Sequence, residues 1–401
     1  MAGARRAPDV AVIGGGIVGT ATAAFLAEGG LEVRLYERSS IAAGASGRNS
    51  GIVQHPFDPV LVGLYRRTLA EYGRLAEDPA SSFALPADPA GLLLVGHDVD
   101  TARRAAEDWR RAWPATAPEV VSGHELVGLE PSLAPDLVLC RLGIGYPVAP
   151  AAATNAFAAL AARRGVEIVL GHDARPVTVA GRAGGVRLDG AGGRIEPAGI
   201  VVVAGGPWSA QIVDPAGGWR PIRPSWGVVA SLALAKAPRH ALEAIDIAIE
   251  SADASSPTGA EGAVEFSLVP GAGSSYLGST FLRDEPDPAA WLDILRAVGS
   301  RYVPAVAAAP VVGLRTCARP VSSDARPLLG RAPWTDGLWI AAGHGMWGIS
   351  TGPGSARLVA DAILGNGKPD AISQELAVGR FGAPGPARLA TARSSRRTGR
   401  T

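Results

Sequence analysis

Residues 9–37 read DVAVIGGGIVGTATAAFLAEGGLEVRLYE, and this stretch decides the fold. Asp9–Ile13 is a short apolar run of the length of a buried strand. Gly14-Gly15-Gly16 is a turn. Ile17–Glu28 is alanine-rich and helical, and Gly29-Gly30 supplies its stop. Leu31–Tyr36 alternates Leu31, Val33 and Leu35 as a second strand. The whole is a βαβ unit. Gly14-x-Gly16-x-x-Gly19 falls between its first strand and its helix. The first glycine permits a tight turn, the second lets backbone approach a pyrophosphate, and the third lets helix and strand pack closely. The helix N-terminus offers unpaired N–H groups to phosphate, with Ile17 first in line. Glu37 follows Gly19 by 18 residues. It stands where a carboxylate accepts hydrogen bonds from a ribose. Dinucleotide binding follows; the motif alone does not separate FAD from NAD.

Two kinds of segment interleave outward from this unit. Residues 41–57 are Gly/Ser/Ala/Asn-rich and read as a loop, followed by a helix over 59–76. The stretch 83–142 has short strands (91–95), a helix over 100–113 and Pro-rich connections. Helix 151–164, strand 165–170 and further strand-like runs lead to 199–204. A second irregular region, 219–310, holds apolar run 228–235 and two candidate paired strands, 263–270 and 275–281. Strand 338–342 and a helix over about 352–364 close the pattern. The expectation is an α/β protein with two discontinuous domains. A Rossmann-like dinucleotide domain takes residues 1–82, 143–215 and 313–370. A β-rich mixed-sheet substrate domain takes residues 83–142 and 216–312. Residues 371–401 carry no strong hydrophobic period and read as a flexible tail.

Composition narrows the function classes. The chain has 401 residues, with 38 Lys plus Arg against 37 Asp plus Glu. That balance gives no global field for gathering nucleic acid or anionic membrane. Two cysteines, Cys140 and Cys317, make neither a disulfide framework nor a Cys-rich zinc site, so no metal is expected. Hydrophobic residues at 47% point to a well-buried globular protein rather than a disordered one. The longest early apolar run, Val10–Ile13, is too short for a secretory signal or a membrane span. A cytoplasmic location without an integral membrane segment is the expectation.

Four blocks make the pattern more specific. Residues 43–51 read AGASGRNSG, 201–209 read VVVAGGPWS, 319–330 read RPVSSDARPLLG, and 341–360 read AAGHGMWGISTGPGSARLVA. Together they resemble the D-amino-acid oxidase superfamily of FAD-dependent oxidoreductases, most closely bacterial D-amino-acid dehydrogenase and glycine oxidase. The resemblance covers about residues 9–370 and implies FAD and a Rossmann-like domain of the GR2 type. The implied cofactor set is Gly14, Gly16, Ile17, Gly19, Glu37, Arg38, Ser46, Asn49, Gly51, Gly205, Trp208, Gly343, Gly345 and Gly348. The residue chemistry agrees. A small-residue loop after Glu37 can wrap a diphosphate, with Ser46 as a hydroxyl contact. The turn 343–348 opens onto the last helix, whose N-terminus would face the flavin edge where negative charge develops on reduction.

Oxidising a C–N bond at flavin needs the substrate's α-hydrogen over N5, and no nucleophile or metal. It does need an anchor for a carboxylate. The resemblance places Arg319 in that role, and a guanidinium fork suits it; the alternative is an arginine paired with Asp324 or another local acid. Arg315 reads as a structural or solvated arginine, with an auxiliary cation as the alternative. His344 begins the flavin-edge turn, and the resemblance implies a histidine there whose role is closer to backbone placement than to acid–base chemistry. His55 ends the cofactor loop, where some relatives carry an active-site histidine; a capped loop histidine is the other reading. Met346 stands where glycine oxidases carry a second arginine, and Trp347 follows it. An apolar wall there implies a substrate larger or less polar than glycine. Glu265 and Ser267 share one strand face, turned either to the substrate or to solvent. Cys317 is level with the cysteine that carries covalent flavin in monomeric sarcosine oxidase. The surrounding block resembles the noncovalent group, so an unreactive buried thiol and noncovalent FAD are expected, with a thioether as the alternative.

The expected function is FAD-dependent oxidation of an amino acid (a D-amino acid or glycine-like substrate) by hydride transfer to N5, giving an imine and then a 2-oxo acid. Sarcosine-type oxidation of a secondary amine is one alternative, and a flavin-binding subunit without substrate chemistry is another. The expected partners are a small amino-acid or amine substrate and either oxygen or a quinone/electron carrier. A homo-oligomer is left open. The chain has only two lysines, Lys236 and Lys368. Some oxidases of the superfamily place a lysine over the flavin to activate oxygen. Neither lysine is placed for that, which tilts the expectation toward a dehydrogenase or an oxidase that uses no lysine.

Overall fold

A computed structural model describes residues 7–189, 192–245, 264–366 and 372–385. The opening unit forms as read: strand Val10–Ile13, helix Ile17–Glu28 and strand Val33–Glu37. Val10–Ile13 is buried along its whole length, as a strand covered on both faces must be. It lies inside a six-stranded sheet of order 328–331, 338–342, 200–203, 10–13, 33–37, 167–170. All neighbours are parallel except Leu328–Arg331, which runs antiparallel to Leu338–Ala342. Alternate residues serve opposite layers. Val10 and Val12 join a core with helices Ile17–Glu28, Ala152–Arg163 and Gly348–Leu364. Ala11 and Ile13 join Ala174, Val186 and Leu188, from the three-stranded sheet that covers the other face.

The second sheet has eight strands in the order 311–322, 222–232, 274–280, 264–271, 241–244, 92–96, 138–142, 119–122. Its pairs are antiparallel except Ala241–Ala244 with Leu92–Gly96. Its core gathers Leu93, Val228, Leu242, Phe266, Leu268 and Leu295.

Three expectations need revision. The sequence pattern groups residues 313–322 with the dinucleotide segments, yet strand Val311–Ser322 pairs with Ile222–Leu232 from Ile222↔Ser322 to Leu232↔Val311. Its hydrogen bonds therefore belong to the eight-stranded sheet. Residues 372–385 fall in the stretch read as a flexible tail, and they pack instead. Leu376 and Val378 are buried, Leu329 N–H donates to the Leu376 carbonyl (2.8 Å), and Arg380 pairs with Asp324 (2.7 Å). The remainder of that stretch, 386–401 and residue 371, lies outside the described residues. The loop 41–57 contains a short helix, Ala45–Arg48, and a two-residue strand, Ile52–Val53.

Candidate active site

A cavity of about 740 Å³ runs from the glycine turn of the first sheet to the inner face of the second. At the dinucleotide end the chain leaves no room for side chains. Gly14 has φ +117°, and a Cβ there would lie 2.4 Å from the Ala204 carbonyl oxygen. A Cβ on Gly19 would fall 1.9 Å from the Gly14 carbonyl oxygen. The turn therefore presses on Ala204, just past strand Ile200–Val203, and on the helix at once, exposing its backbone to the cavity.

Gly14, Gly16, Ile17, Glu37 and Arg38 line this end, with Gly205 and Trp208 beside them. Glu37 accepts from Gly15 N–H (2.7 Å) and Ser39 N–H (2.9 Å), which ties the second strand to the turn. The Ser46 hydroxyl accepts from Ile17 N–H at 3.0 Å, at the helix N-terminus. The Arg38 guanidinium lies 3.9 Å over the Trp208 ring. Asn49 and Gly51 line the wall too, but the Asn49 amide braces its own loop. It donates to the Ala45 and Ser46 carbonyls (3.0 and 2.9 Å) and accepts from Gly51 N–H (2.8 Å). Gly345 and Gly348 line the flavin-edge turn. Gly19 and Gly343 do not line the cavity. Gly19 acts through close packing, and Gly343, at φ +87°, makes the turn. These features suit a dinucleotide: close backbone, a helix N-terminus whose first N–H, of Ile17, is held by Ser46, and a carboxylate at the ribose position.

At the other end, strand Val311–Ser322 brings Arg319 and Cys317 to the cavity. Arg319 Nη1 donates to the Thr280 carbonyl (2.8 Å), and its guanidinium lies 4.5 Å from the Phe281 ring centroid. Asp324, the local acid considered for it, bonds to Arg380 instead. Burial lowers the Arg319 pKa, while Cys317 and Glu265 act in the opposite direction; a guanidinium stays cationic in any case. Burial also raises the Cys317 thiol, whose nearest acceptor is the Ala45 carbonyl at 3.9 Å.

His344 lines the cavity, but its ring is committed. Nε2 lies 3.0 Å from Ser355 Oγ, and that hydroxyl donates to the Thr351 carbonyl. Nε2 therefore carries the proton. Burial lowers the ring's pKa to about 4, so it is neutral at working pH. His55 is not brought to the cavity. Its ring sits among Tyr65, Trp113 and Phe57, and burial lowers its pKa. Tyr65 on helix Pro59–Glu77, Phe57 just before that helix and Trp113 just after helix Val99–Ala112 surround it, next to the wall that Gln54 forms.

Met346 and Trp347 both line the chamber, and Glu265 and Ser267 face it rather than solvent. Sequence reasoning missed Gln54, Trp226, Phe281 and Glu243. Gln54 Nε2 donates to Glu243 Oε2 at 3.2 Å. Burial, opposed by that bond and reinforced by Glu265, raises the Glu243 carboxyl to about 7. Arg315 lies outside the wall, its donors spent on the Arg48 and Asn49 carbonyls and on Ser231.

A Rossmann-like domain that shares one cavity with a largely antiparallel second sheet is the arrangement of a dinucleotide-binding protein with a separate substrate chamber. Residues 9–362 match the family described as FAD dependent oxidoreductase, and the chain belongs to that family. FAD is its cofactor, and the glycine turn, Ser46 and the ribose-position Glu37 fit it. Glycine oxidase of Pseudomonas aeruginosa is 27% identical over 372 residues, covering 89% of this chain and 94% of that protein. D-amino acid dehydrogenase of Cereibacter sphaeroides is 42% identical over 67 residues, 17% of this chain and 15% of its own. The crystal structure of iminodiacetate oxidase from Chelativorans shares the fold. Its TM-score is 0.75 at 24% identity, covering 93% of this chain and 98% of that one. Among the described residues no helix is long and apolar enough to cross a membrane, and no group of three or more potential metal ligands occurs.

Proposed function

We propose that the protein oxidises the carbon next to nitrogen in an amino acid. One observation carries this reading: the Arg319 guanidinium lies in the same cavity as the dinucleotide turn. A carboxylate bound there fixes the α-carbon relative to the cofactor, and orientation of that kind supplies much of the rate. The α-carbon then loses a hydride and the amine a proton, which passes to solvent, giving an imine that water hydrolyses to a 2-oxo acid with release of ammonia, or of an amine where the nitrogen is substituted. Bound FAD supplies the hydride acceptor, and oxygen or a quinone/electron carrier takes the electrons onward. His344, neutral and bonded to Ser355, positions the turn instead of accepting the substrate's proton. Met346, Trp347, Trp226 and Phe281 wall the chamber with apolar surface, which supports a side chain larger than that of glycine. Burial keeps Cys317 a thiol, so FAD is held without a thioether. Among the described residues the one lysine, Lys236, is exposed at a bend, which supports an acceptor chemistry without lysine there; Lys368 lies outside the described residues.

The experiment is anaerobic reduction of the purified yellow protein with D-amino acids, L-amino acids, glycine, sarcosine and proline. Bleaching by one class is expected, with flavin released to the supernatant on acid precipitation. Arg319→Leu should raise the concentration for half-reduction at least about tenfold, the loss of roughly 1.4 kcal/mol of carboxylate binding. A yellow protein that no amine reduces defeats the proposal.

A further inference from the structure

The chamber holds an acid that the proposed reaction does not use. Glu243 comes from the short strand Ala241–Ala244 and faces the same cavity as Arg319. The Gln54 amide donates to its carboxyl, and Gln54 is itself fixed by its backbone N–H donating to Ser350 Oγ at 2.9 Å. Among the described residues no arginine, lysine or histidine lies at ion-pair distance from Glu243. A buried carboxyl without a counter-cation is costly, and the cost is recovered when a ligand brings the cation. Perturbed acids of this kind inside a cavity mark functional positions.

The sheet order fixes which part of a ligand Glu243 can read. Three strands, Ile222–Leu232, Ser274–Thr280 and Val264–Gly271, separate the strand of Arg319 from that of Glu243. At about 4.8 Å per step, the two outer backbones stand roughly 19 Å apart. The Arg319 guanidinium turns inward over Gly227 on the neighbouring strand, and the Glu243 side chain adds its own reach. The row of Glu243 crosses that neighbouring strand near Val229, two residues along from Gly227, so a gap on the order of 10–15 Å remains between the two charged groups. The α-nitrogen of an amino acid lies only about 2.5 Å from its carboxylate carbon, so it does not bridge that gap. A nitrogen at the end of a four-carbon side chain lies roughly 6–7 Å from the carboxylate, and hydrogen bonds at both ends complete the span.

Resting on the reading of Arg319 as the carboxylate anchor, we propose that Glu243, oriented by Gln54, receives a second, cationic nitrogen of the substrate. The preferred substrate is then an amino acid whose side chain ends in a positive charge, of about lysine or arginine length. Trp226 and Phe281 supply apolar surface for the methylenes at the Arg319 end, while Glu265 and Ser267, on the intervening strand Val264–Gly271, face the same chamber.

The test uses the holoenzyme and two ligands that cannot be oxidised at an α-amine. Dissociation constants of 6-aminohexanoate and hexanoate are measured by calorimetry and by perturbation of the flavin absorbance. The wild type should bind 6-aminohexanoate at least about tenfold more tightly, and Glu243→Gln should bring the ratio near one, with Glu243→Asp restoring part of it. In parallel, lysine should exceed norleucine in kcat/KM by a similar factor, in whichever enantiomer reduces the flavin. Hexanoate binding as tightly as its amino derivative in the wild type overturns the inference while leaving Arg319 in place. A ratio unchanged by Glu243→Gln overturns it as well. Binding of neither acid, with FAD retained, removes the carboxylate anchor and the proposed function together.

Discussion

A methyl group at position 227 would fall 2.5–2.7 Å from the Arg319 guanidinium atoms. The guanidinium lies flat on the neighbouring strand only because that strand has no side chain there. Gly227→Ala should therefore displace it and raise the substrate concentration for half-reduction about tenfold or more, with flavin content intact. Anaerobic titration checks this, and an unchanged half-reduction point would show that Arg319 is not the anchor. Glu243 gives a second prediction at this scale. Its carboxyl sits at about 7 in the folded protein against an ordinary 4.5. The native state thus holds the proton more tightly than the unfolded chain. Stability is lost as pH rises from about 4.5 to 7, and it stays lost above 7. Glu243→Gln should be more stable than the wild type at pH 8, by up to about 3 kcal/mol, and the difference should close near pH 4. Urea unfolding of the holoenzyme at the two pH values measures it; equal stability at pH 8 would mean that the buried acid carries no strain.

Short elements decide more than their length suggests. The stretch from Ile372 to Phe381 has no strong period, yet Leu376 and Val378 close one edge of the first sheet beside Leu329. Leu376→Ala should cost about 2–4 kcal/mol, as for other buried leucines, and lower the unfolding midpoint in denaturant; a change below about 0.5 kcal/mol would mean the segment is not part of the cooperative fold. Sequence patterns miss such a segment because its apolar residues are spaced by Ala, Gly and charge. They miss Ala241–Ala244 for another reason: four residues show no alternation, and the strand exists because Leu92–Gly96, distant in sequence, pairs with it. The opening βαβ unit is legible because its demands are local. Gly14 and Gly19 must be glycine whatever else the chain does. Arg319 is legible by its block and Glu243 is not, since its meaning arises only once five strands stand side by side.

At the scale of the molecule, the cavity depends on two sheets holding their relative position, and Val311–Ser322 mediates that relation. The strand is hydrogen-bonded into the eight-stranded sheet, yet it reaches the cofactor loop. Arg315 Nε donates to the Arg48 carbonyl (3.0 Å), Nη2 to the Asn49 carbonyl (2.9 Å), and Nη1 to Ser231 Oγ (2.8 Å), beside the Tyr276 ring. A discontinuous chain makes this junction hard to read, because the residues joined lie far apart along it and an arginine alone has many uses. The contacts tie the loop carrying Ser46, which bonds the first helical N–H at the dinucleotide end, to the sheet carrying Arg319. Arg315→Ala should loosen the loop and raise the FAD dissociation constant at least about tenfold, since each charge-assisted hydrogen bond contributes roughly 1.5–3 kcal/mol. Ultrafiltration of flavin from the holoenzyme measures this. The melting temperature of the variant should fall at stoichiometric FAD and recover toward the wild type in excess FAD, because ligand binding to the native state alone stabilises it by mass action. An unchanged FAD affinity would mean that the loop is held by its own Asn49 bonds, and that the two sheets meet at the cofactor without this arginine joining them.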